Sequence, residues 1–268
     1  VPEGHSIHRY AGQHRSLFAG QRLRVDSPQG RFSEGASRLD GRVLEEVHPF
    51  GKHLWYRFSG GGEAGFLHVH LGLYGKFTTG ENPPPEPKGA VRVRFVSEGR
   101  WLELRGPTAC EIQTENERDA VLARLGPDPL VPASDGEPAK ERIRRSRSAT
   151  GKLLMDQSVV SGIGNIYRAE ILFRAGISPN RPGNTLSDGE WRELWADTRT
   201  LMRAGVKTGR IVTTRPGHRP KKSGRVPRTD AFYVYKRDGQ PCRICKTGVL
   251  RAEMAARNVF WCPKCQPE

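Results

Sequence analysis

The 268-residue chain contains no run of about 18 apolar residues, the length a helix needs to cross a bilayer, so a membrane-spanning helix is excluded. Its first residues, VPEGHSIHRY, are polar where a secretory signal carries an apolar stretch, and a cytoplasmic protein is expected. Cysteine is nearly missing from the body of the chain: only Cys110 lies ahead of residue 242, so disulfides do not brace the bulk of the fold. Acidic residues are also scarce. Lys and Arg number 44 against 29 Asp and Glu, a net charge of +15. Residues 206–228 hold eight Lys/Arg and three prolines with no Asp or Glu, and are read as a mobile basic loop. Such an excess draws polyanions to the surface, with binding that weakens as salt rises. Nucleic acid is the partner it favours, although a ribosomal or membrane-surface protein would carry the same charge.

The texture of what is present changes along the chain. Ile7, Tyr10, Ala11, His14, Leu17 and Phe18 fit one face of a helix over 3–19. From Gln21 to about Thr114, short alternating runs follow, among them HLWYRF (53–58), FLHVHL (66–71), VRVRFV (91–96) and WLELR (101–105). Gly- and Pro-rich turns separate them, which predicts a β-sandwich. Residues 115–125 return to a helical pattern. The stretch 131–149, rich in Pro, Asp, Ser and Arg, reads as a linker. Thr150 is placed as the cap of a helix over 151–160, Asn165–Ala175 as the next helix, and Ser187 with Glu190 as the capping box of a third. Trp191 and Trp195 lie on one face of that third helix, where core packing explains them better than base stacking. The fold class expected is α+β, with a sandwich domain over 1–130, the linker, a helical domain over 150–231 and a cysteine module over 232–268.

That module carries the strongest chemical signal. Cys242-x2-Cys245, sixteen residues, then Cys262-x2-Cys265 is the spacing of a structural zinc site. Two knuckles supply four thiolates and leave no open coordination position, so one structural Zn2+ is expected. A segment this small needs the ion in order to fold. Two disulfides are the alternative. Cys110 is read as a buried small hydrophobe. The hairpin within the module presents Arg257, either as a solvated side chain or as a contact for phosphate or a lesion. His68 and His70 share a strand face, but no third ligand motif accompanies them, and packing is the default reading.

Gln157-Ser-Val-Val-Ser-Gly-Ile-Gly-Asn165 joins two helices through a glycine-rich turn, where backbone N–H groups and a helix N-terminus favour an anion. Asn165 is either a phosphate donor there or a plain helix cap. Pro2 is uninformative unless residue 1 is removed, which would expose a secondary amine titrating near ~8. Such an amine can attack a sugar C1′ and form a Schiff base, with Glu3 beside it to handle protons.

The segments PEGH (2–5), GKHL (51–54), HLGLYGKF (70–77), RLGPDPL (124–130), LLMDQSVVSGIGNIYRAEILFRAGISP (153–179), PCRICK and RNVFWCPKCQ together make the chain resemble the formamidopyrimidine-DNA glycosylase/endonuclease VIII (Fpg/Nei) family over nearly its whole length. HLGLYG is closer to the endonuclease VIII branch, in particular its actinobacterial members. The resemblance implies a helix-two-turn-helix in the second domain and a role for each matched residue. Pro2 is the nucleophile and Glu3 protonates the deoxyribose ring oxygen. Lys52 pairs with a phosphate near the lesion and assists catalysis. Asn165 holds the lesion-flanking phosphate, with Tyr167 near the same site. Arg257 binds phosphate and promotes strand cleavage, while Leu73 and Tyr74 fill the gap left by the flipped nucleotide. The basic loop over 206–228 corresponds to the region that covers the extruded base. Cys242, Cys245, Cys262 and Cys265 hold the zinc.

Three departures stand out. Ser6 occupies the position of a second glutamate in many members, Gly72 lacks a side chain that the branch can use, and Val1 stands for an initiator removed in the cell. The expected activity is that of a bifunctional DNA glycosylase/AP lyase of base excision repair, removing oxidised pyrimidines and cutting by β,δ-elimination. It would act on damaged DNA as a monomer in the bacterial cytoplasm, nucleoid-associated when bound, with no small-molecule cofactor. The alternatives are an oxidised-purine glycosylase of the same family, a non-catalytic zinc-dependent binder of damaged DNA, and an RNA-binding or ribosomal protein.

Overall fold

The computed structural model describes residues 2–60 and 65–268. Val1, expected to be removed, lies outside the described residues. The chain divides after Arg124 into two compact units.

The first unit opens with α1 (Gly4–Phe18), whose Ile7, Ala11, His14 and Phe18 recur at helical spacing and are buried. Among the described residues, eight strands follow: β1 (Arg24–Asp26), β2 (Leu44–Phe50), β3 (His53–Phe58), β4 (Phe66–His70), β5 (Lys76–Glu81), β6 (Val91–Val96), β7 (Arg100–Arg105) and β8 (Ala109–Gln113). They form two antiparallel four-stranded sheets, β1-β6-β7-β5 and β2-β3-β4-β8, as the sandwich reading expects. Period-2 alternation sorts the side chains. Leu54, Tyr56 and Phe58 of β3 and Leu67 and Val69 of β4 enter the core with Leu102, Leu104, Val93 and Phe95 of the other sheet. Truncating a fully buried leucine such as Leu102 to alanine costs about 2–5 kcal/mol. The intervening residues His53, Trp55, His68, His70, Glu111 and Gln113 share the opposite face of the second sheet. Cys110, read as a buried small hydrophobe, is only half-buried against the core, and burial pushes its thiol up to about 12. Helix α2 (Ser33–Leu39) was not legible as a helix; it buries Gly35, Ala36 and Leu39 and packs on β1. Helix α3 (Glu115–Ala123) starts at a capping box made by Thr114 and Glu117.

The second unit is built around α6 (Asn165–Ala175) and α7 (Asp188–Thr208). The expected linker is instead part of this unit: α4 (Glu137–Arg144) lies within it, and its Ala139 and Ile143 are fully buried in the helical core. Its composition misled because only two of its eight residues meet the core. The helix expected over 151–160 is also shorter. Helix α5 covers Thr150–Leu153 only, with Ala149 at its cap, and turns carry the chain to Gly164. The Thr150 hydroxyl donates to the Arg181 carbonyl (2.7 Å), so it serves a tertiary bond rather than a cap. Trp191 and Trp195 are buried, their rings stacked 5.6 Å apart, and Ser187 caps α7 with Glu190 as expected. The basic stretch after α7 is tied back on itself. Arg210 donates to the Val226 carbonyl (2.7 Å) and the Thr214 hydroxyl to the Asp230 carbonyl (2.6 Å). The tail forms a hairpin, β9 (Leu250–Met254) and β10 (Arg257–Trp261), over a small core of Phe173, Tyr233, Val249 and Phe260.

Candidate active site and metal centre

Glu3 occupies the N-cap of α1 with extended backbone, and its side chain is buried at 1% exposure. Pro2 precedes it, half-buried. The positive end of α1 favours a carboxylate at this place and a neutral over a protonated amine. Ser6 donates its N–H to the Glu3 carbonyl (2.8 Å), and its hydroxyl lies 3.2 Å from Nε2 of His5. Burial pulls His5 down to about 4, so a neutral imidazole accompanies the hydroxyl where many relatives carry a glutamate.

Lys52 lies in the two-residue connection of the β2–β3 hairpin, between the paired residues Phe50 and His53. Gly51 takes φ +56°, the conformation such short loops require at their first position. The turn from β4 to β5, which crosses from one sheet to the other, carries the exposed apolar pair. Gly75 donates to the Leu71 carbonyl (2.9 Å), closing a turn in which Leu73 is 41% and Tyr74 86% exposed. Gly72 explains its own lack of a side chain: its φ is +63°, and a Cβ there would stand 1.8 Å from the Thr108 hydroxyl. Thr108 in turn donates its N–H to the His70 carbonyl (2.9 Å), so the turn is seated on β4.

In the second unit the glycine-rich turn is held by Gln157. Its amide donates to the Met155 and Ile163 carbonyls (2.9 and 3.0 Å), and its oxygen accepts the Gly162 N–H (3.0 Å). Gly164 caps α6, and Asn165 is its first residue. The Asn165 amide donates to the Asn258 carbonyl on β10 (3.0 Å). Asn165 and Arg257 therefore line one cleft of about 330 Å³ together with Tyr235, Lys236 and Glu253. Tyr167 does not join them. It is fully buried in the helical core with its hydroxyl 3.5 Å from the Leu201 carbonyl, because i+2 from Asn165 is the opposite side of the helix.

Three features of this region escaped the sequence reading. Arg168, fully buried, donates to the Asn258 carbonyl (3.1 Å) and to Asn165 Oδ1. Glu170, also fully buried, accepts the N–H groups of Tyr233, Val234 and Tyr235 (2.7, 2.8 and 2.8 Å) and the Thr213 hydroxyl. Lys236 takes φ +54° beside the cleft. Their only trace in the sequence is a charged pair, Arg168 and Glu170, inside an otherwise apolar helix.

The four tail cysteines converge. Their sulfurs all lie within 4.8 Å of one another, with Cys242–Cys265 at 3.9 Å and Cys245–Cys262 at 3.4 Å. A tetrahedral ion with thiolates at about 2.3 Å sets sulfurs about 3.8 Å apart, so the quartet fits zinc. Among the described residues it is the only group of this kind; His68 and His70 do not form one. Burial raises Cys262 and Cys265 and so opposes their ionising, while the Thr247 hydroxyl draws Cys245 down to about 6. A divalent cation relieves that conflict. The hairpin beside it turns through Ala255 and Ala256, both left-handed at φ +54° and +55°, and delivers Arg257 exposed at the start of β10.

Comparison with known proteins agrees with this arrangement. The N-terminal domain of formamidopyrimidine-DNA glycosylases matches residues 1–109, and their H2TH domain matches residues 125–216. Endonuclease 8 1 of Mycobacterium tuberculosis is 46% identical over 270 residues, covering 99% of this chain and all of the relative. The formamidopyrimidine-DNA glycosylase of Thermus thermophilus is 32% identical over 275 residues, covering 100% and 99%. The crystal structure of the MutM (Fpg) protein from Thermus thermophilus superposes with a TM-score of 0.79 at 31% identity over 100% and 99% of the two chains. Lactococcus lactis Fpg in complex with DNA containing an abasic site gives a TM-score of 0.82 at 20% identity over 99% and 100%, a likeness of fold. With relatives that span both units, the chain belongs to the Fpg/Nei family of DNA glycosylases/AP lyases in base excision repair.

Proposed function

We propose that the protein removes oxidised pyrimidines from DNA and cuts the strand by β,δ-elimination through a Schiff base on Pro2. The observation that carries this reading is the buried Glu3 carboxylate at the α1 N-terminus, directly after a proline. With residue 1 removed, the Pro2 nitrogen attacks C1′, and the C1′–base bond breaks with its electron pair leaving on the base. Glu3 protonates the ring oxygen as the sugar opens, giving the iminium. Loss of a C2′ proton expels the 3′ phosphate, loss of a C4′ proton expels the 5′ phosphate, and water frees Pro2. Lys52 and Arg257 serve the phosphates at these steps, and Asn165 holds the phosphate flanking the lesion. Tyr167 is left out of this set because it is buried.

Pyrimidine preference is supported by the 46% identity to Endonuclease 8 1 and by the exposed Leu73–Tyr74 turn. Extruding a base leaves a gap that an apolar wedge must fill. We also propose that one Zn2+ occupies the four-cysteine site, that residues 232–268 act as its module after a helical part ending near 231, and that the protein works in the cytoplasm as a monomer without a small-molecule cofactor. The test is a side-by-side excision assay on thymine glycol and 8-oxoguanine in duplex and single-stranded DNA. Faster release of thymine glycol is expected, and preferential release of 8-oxoguanine overturns the pyrimidine reading.

A further inference from the structure

On the face of the second sheet turned away from the sandwich core, five residues from three strands form a hydrogen-bonded chain that the reaction as described does not use. Trp55 Nε1 donates to Gln113 Oε1 (2.9 Å). An indole N–H has no other role, so the Gln113 amide nitrogen must point the other way, where it donates to Glu111 Oε1 (3.0 Å). The same carboxylate oxygen lies 2.9 Å from His68 Nδ1. The Gln113 amide nitrogen also approaches this Nδ1, at 3.3 Å, but the shorter contact is to the carboxylate, which only accepts, so Nδ1 of His68 carries the proton. The imidazole is neutral, because burial lowers its pKa, and its Nε2 therefore presents a lone pair. His53 Nδ1 sits 2.9 Å from that Nε2 and must donate to it. The chain thus dictates one tautomer at each ring and leaves Nε2 of His53 as an acceptor.

His53 is where this chain meets the residue assigned to phosphate. It directly follows Lys52 and closes the hairpin on which Lys52 is carried. Its ring runs nearly parallel to those of Trp55 and His68, 5.5 and 5.2 Å away, and lies 4.9 Å from that of His70, its cross-strand partner. Trp55 and His68 are almost fully buried, whereas the Glu111 side chain is half exposed. The chain therefore runs from the surface through the sheet face to the Lys52 turn.

We propose that Glu111, His68 and His53 are positioning residues that hold the Gly51–Lys52 turn in the orientation that pairs the Lys52 ammonium with a DNA phosphate. The inference rests on the phosphate role of Lys52 given above. It assigns no proton transfer to the histidines. Their neutrality keeps them from competing with Lys52 for the anion, and the fixed tautomer of His53 leaves an acceptor rather than a donor on its other ring nitrogen.

The experiment uses the full zinc-loaded chain and a duplex bearing a tetrahydrofuran abasic analogue, which needs no Schiff base. Nitrogen-15 imidazole spectra of the unaltered protein should show His53 and His68 both protonated at Nδ1; an Nε2–H form of either overturns the chain with no variant needed. His68→Phe keeps the stacking and removes the bonds. It should weaken binding about tenfold, in the range that outer-shell partners command. His68→Gln, which retains an acceptor and a donor, should recover most of that loss. The deciding comparison is the double variant. If His68 acts through Lys52, Lys52→Ala/His68→Phe binds no more weakly than Lys52→Ala alone. Additive losses, or native affinity in His68→Phe, contradict the proposal. A failure of the Pro2 chemistry would appear instead as absent covalent trapping in every variant, with these binding differences intact.

Discussion

Arg168 on α6 donates to the backbone carbonyl of Asn258 on the tail hairpin across 3.1 Å, and the same carbonyl accepts from Asn165 at 3.0 Å. One oxygen thus ties the start of α6 to the strand that carries Arg257. Replacing Arg168 with Met removes a charged donor from a fully buried position and leaves the carbonyl dependent on Asn165 alone. The expected loss is about 1.5–3 kcal/mol, the range for a hydrogen bond to a charged group, read from urea unfolding. Strand scission should slow more than base release, because Arg257 loses its fixed seat; equal slowing of both would contradict that link.

The four-cysteine module gives a second expectation. Metal analysis should find one equivalent of zinc, and Cys242→Ser should release it and unfold the tail. The ligating form is the thiolate, so acid competes with the metal for each sulfur and chelation should accelerate as pH falls. A tail that stays folded in strong chelator would show that the fit of the four sulfurs has another cause.

How much of this was open to sequence reading depended on whether an interaction is local. The sandwich follows from period-2 runs such as HLWYRF, the Ser187–Glu190 cap from a four-residue pattern, and the cysteine quartet from spacing alone. Helix α4 was missed because Ala139 and Ile143 are too few apolar residues to announce a helix, and only the second core explains their burial. Tyr167 was assigned to DNA by resemblance, whereas its place on α6 turns it inward. Arg168, Glu170 and the His53–His68–Glu111 chain each join residues far apart in sequence, and no local pattern encodes such pairs.

Gly72 tests the wedge. An alanine there adopts a left-handed conformation costing about 1–2 kcal/mol and drives its Cβ into the Thr108 hydroxyl. Gly72→Ala should displace Leu73 and Tyr74 and reduce excision from duplex DNA while sparing single strands, in which no gap has to be held open. Equal losses on both substrates would remove the wedge role from this turn.

The turn before Arg257 stores strain that can be relieved. Ala255 and Ala256 are both left-handed, a conformation natural to Asn-Gly pairs in two-residue hairpins. Ala255→Asn with Ala256→Gly should raise stability by about 1–2 kcal/mol with zinc affinity preserved. No gain in thermal unfolding would contradict the strain.

Buried histidines set the acid limit of the fold. Burial holds His14 and His53 down to about 3, and His5 to about 4, whereas the unfolded chain titrates at 6.5. The unfolded state therefore binds more protons below pH 6.5. The stability is complete above that value and is lost as pH falls toward 3, at about 1.4 kcal/mol per pH unit per histidine. His14→Gln should remove one such increment from the slope between pH 4 and 6, measured by urea unfolding; an unchanged slope would mean that His14 is protonated in the fold.

The most direct measurement is peptide mapping of the covalent adduct. The mature protein is incubated with an oligonucleotide carrying an abasic site, reduced with borohydride and digested, and the sugar remnant is located by mass spectrometry. The account predicts a single adduct on the Pro2 nitrogen, absent in Pro2→Gly. An adduct on the Lys52 ammonium nitrogen, or no adduct from a chain that begins at Pro2, would contradict it.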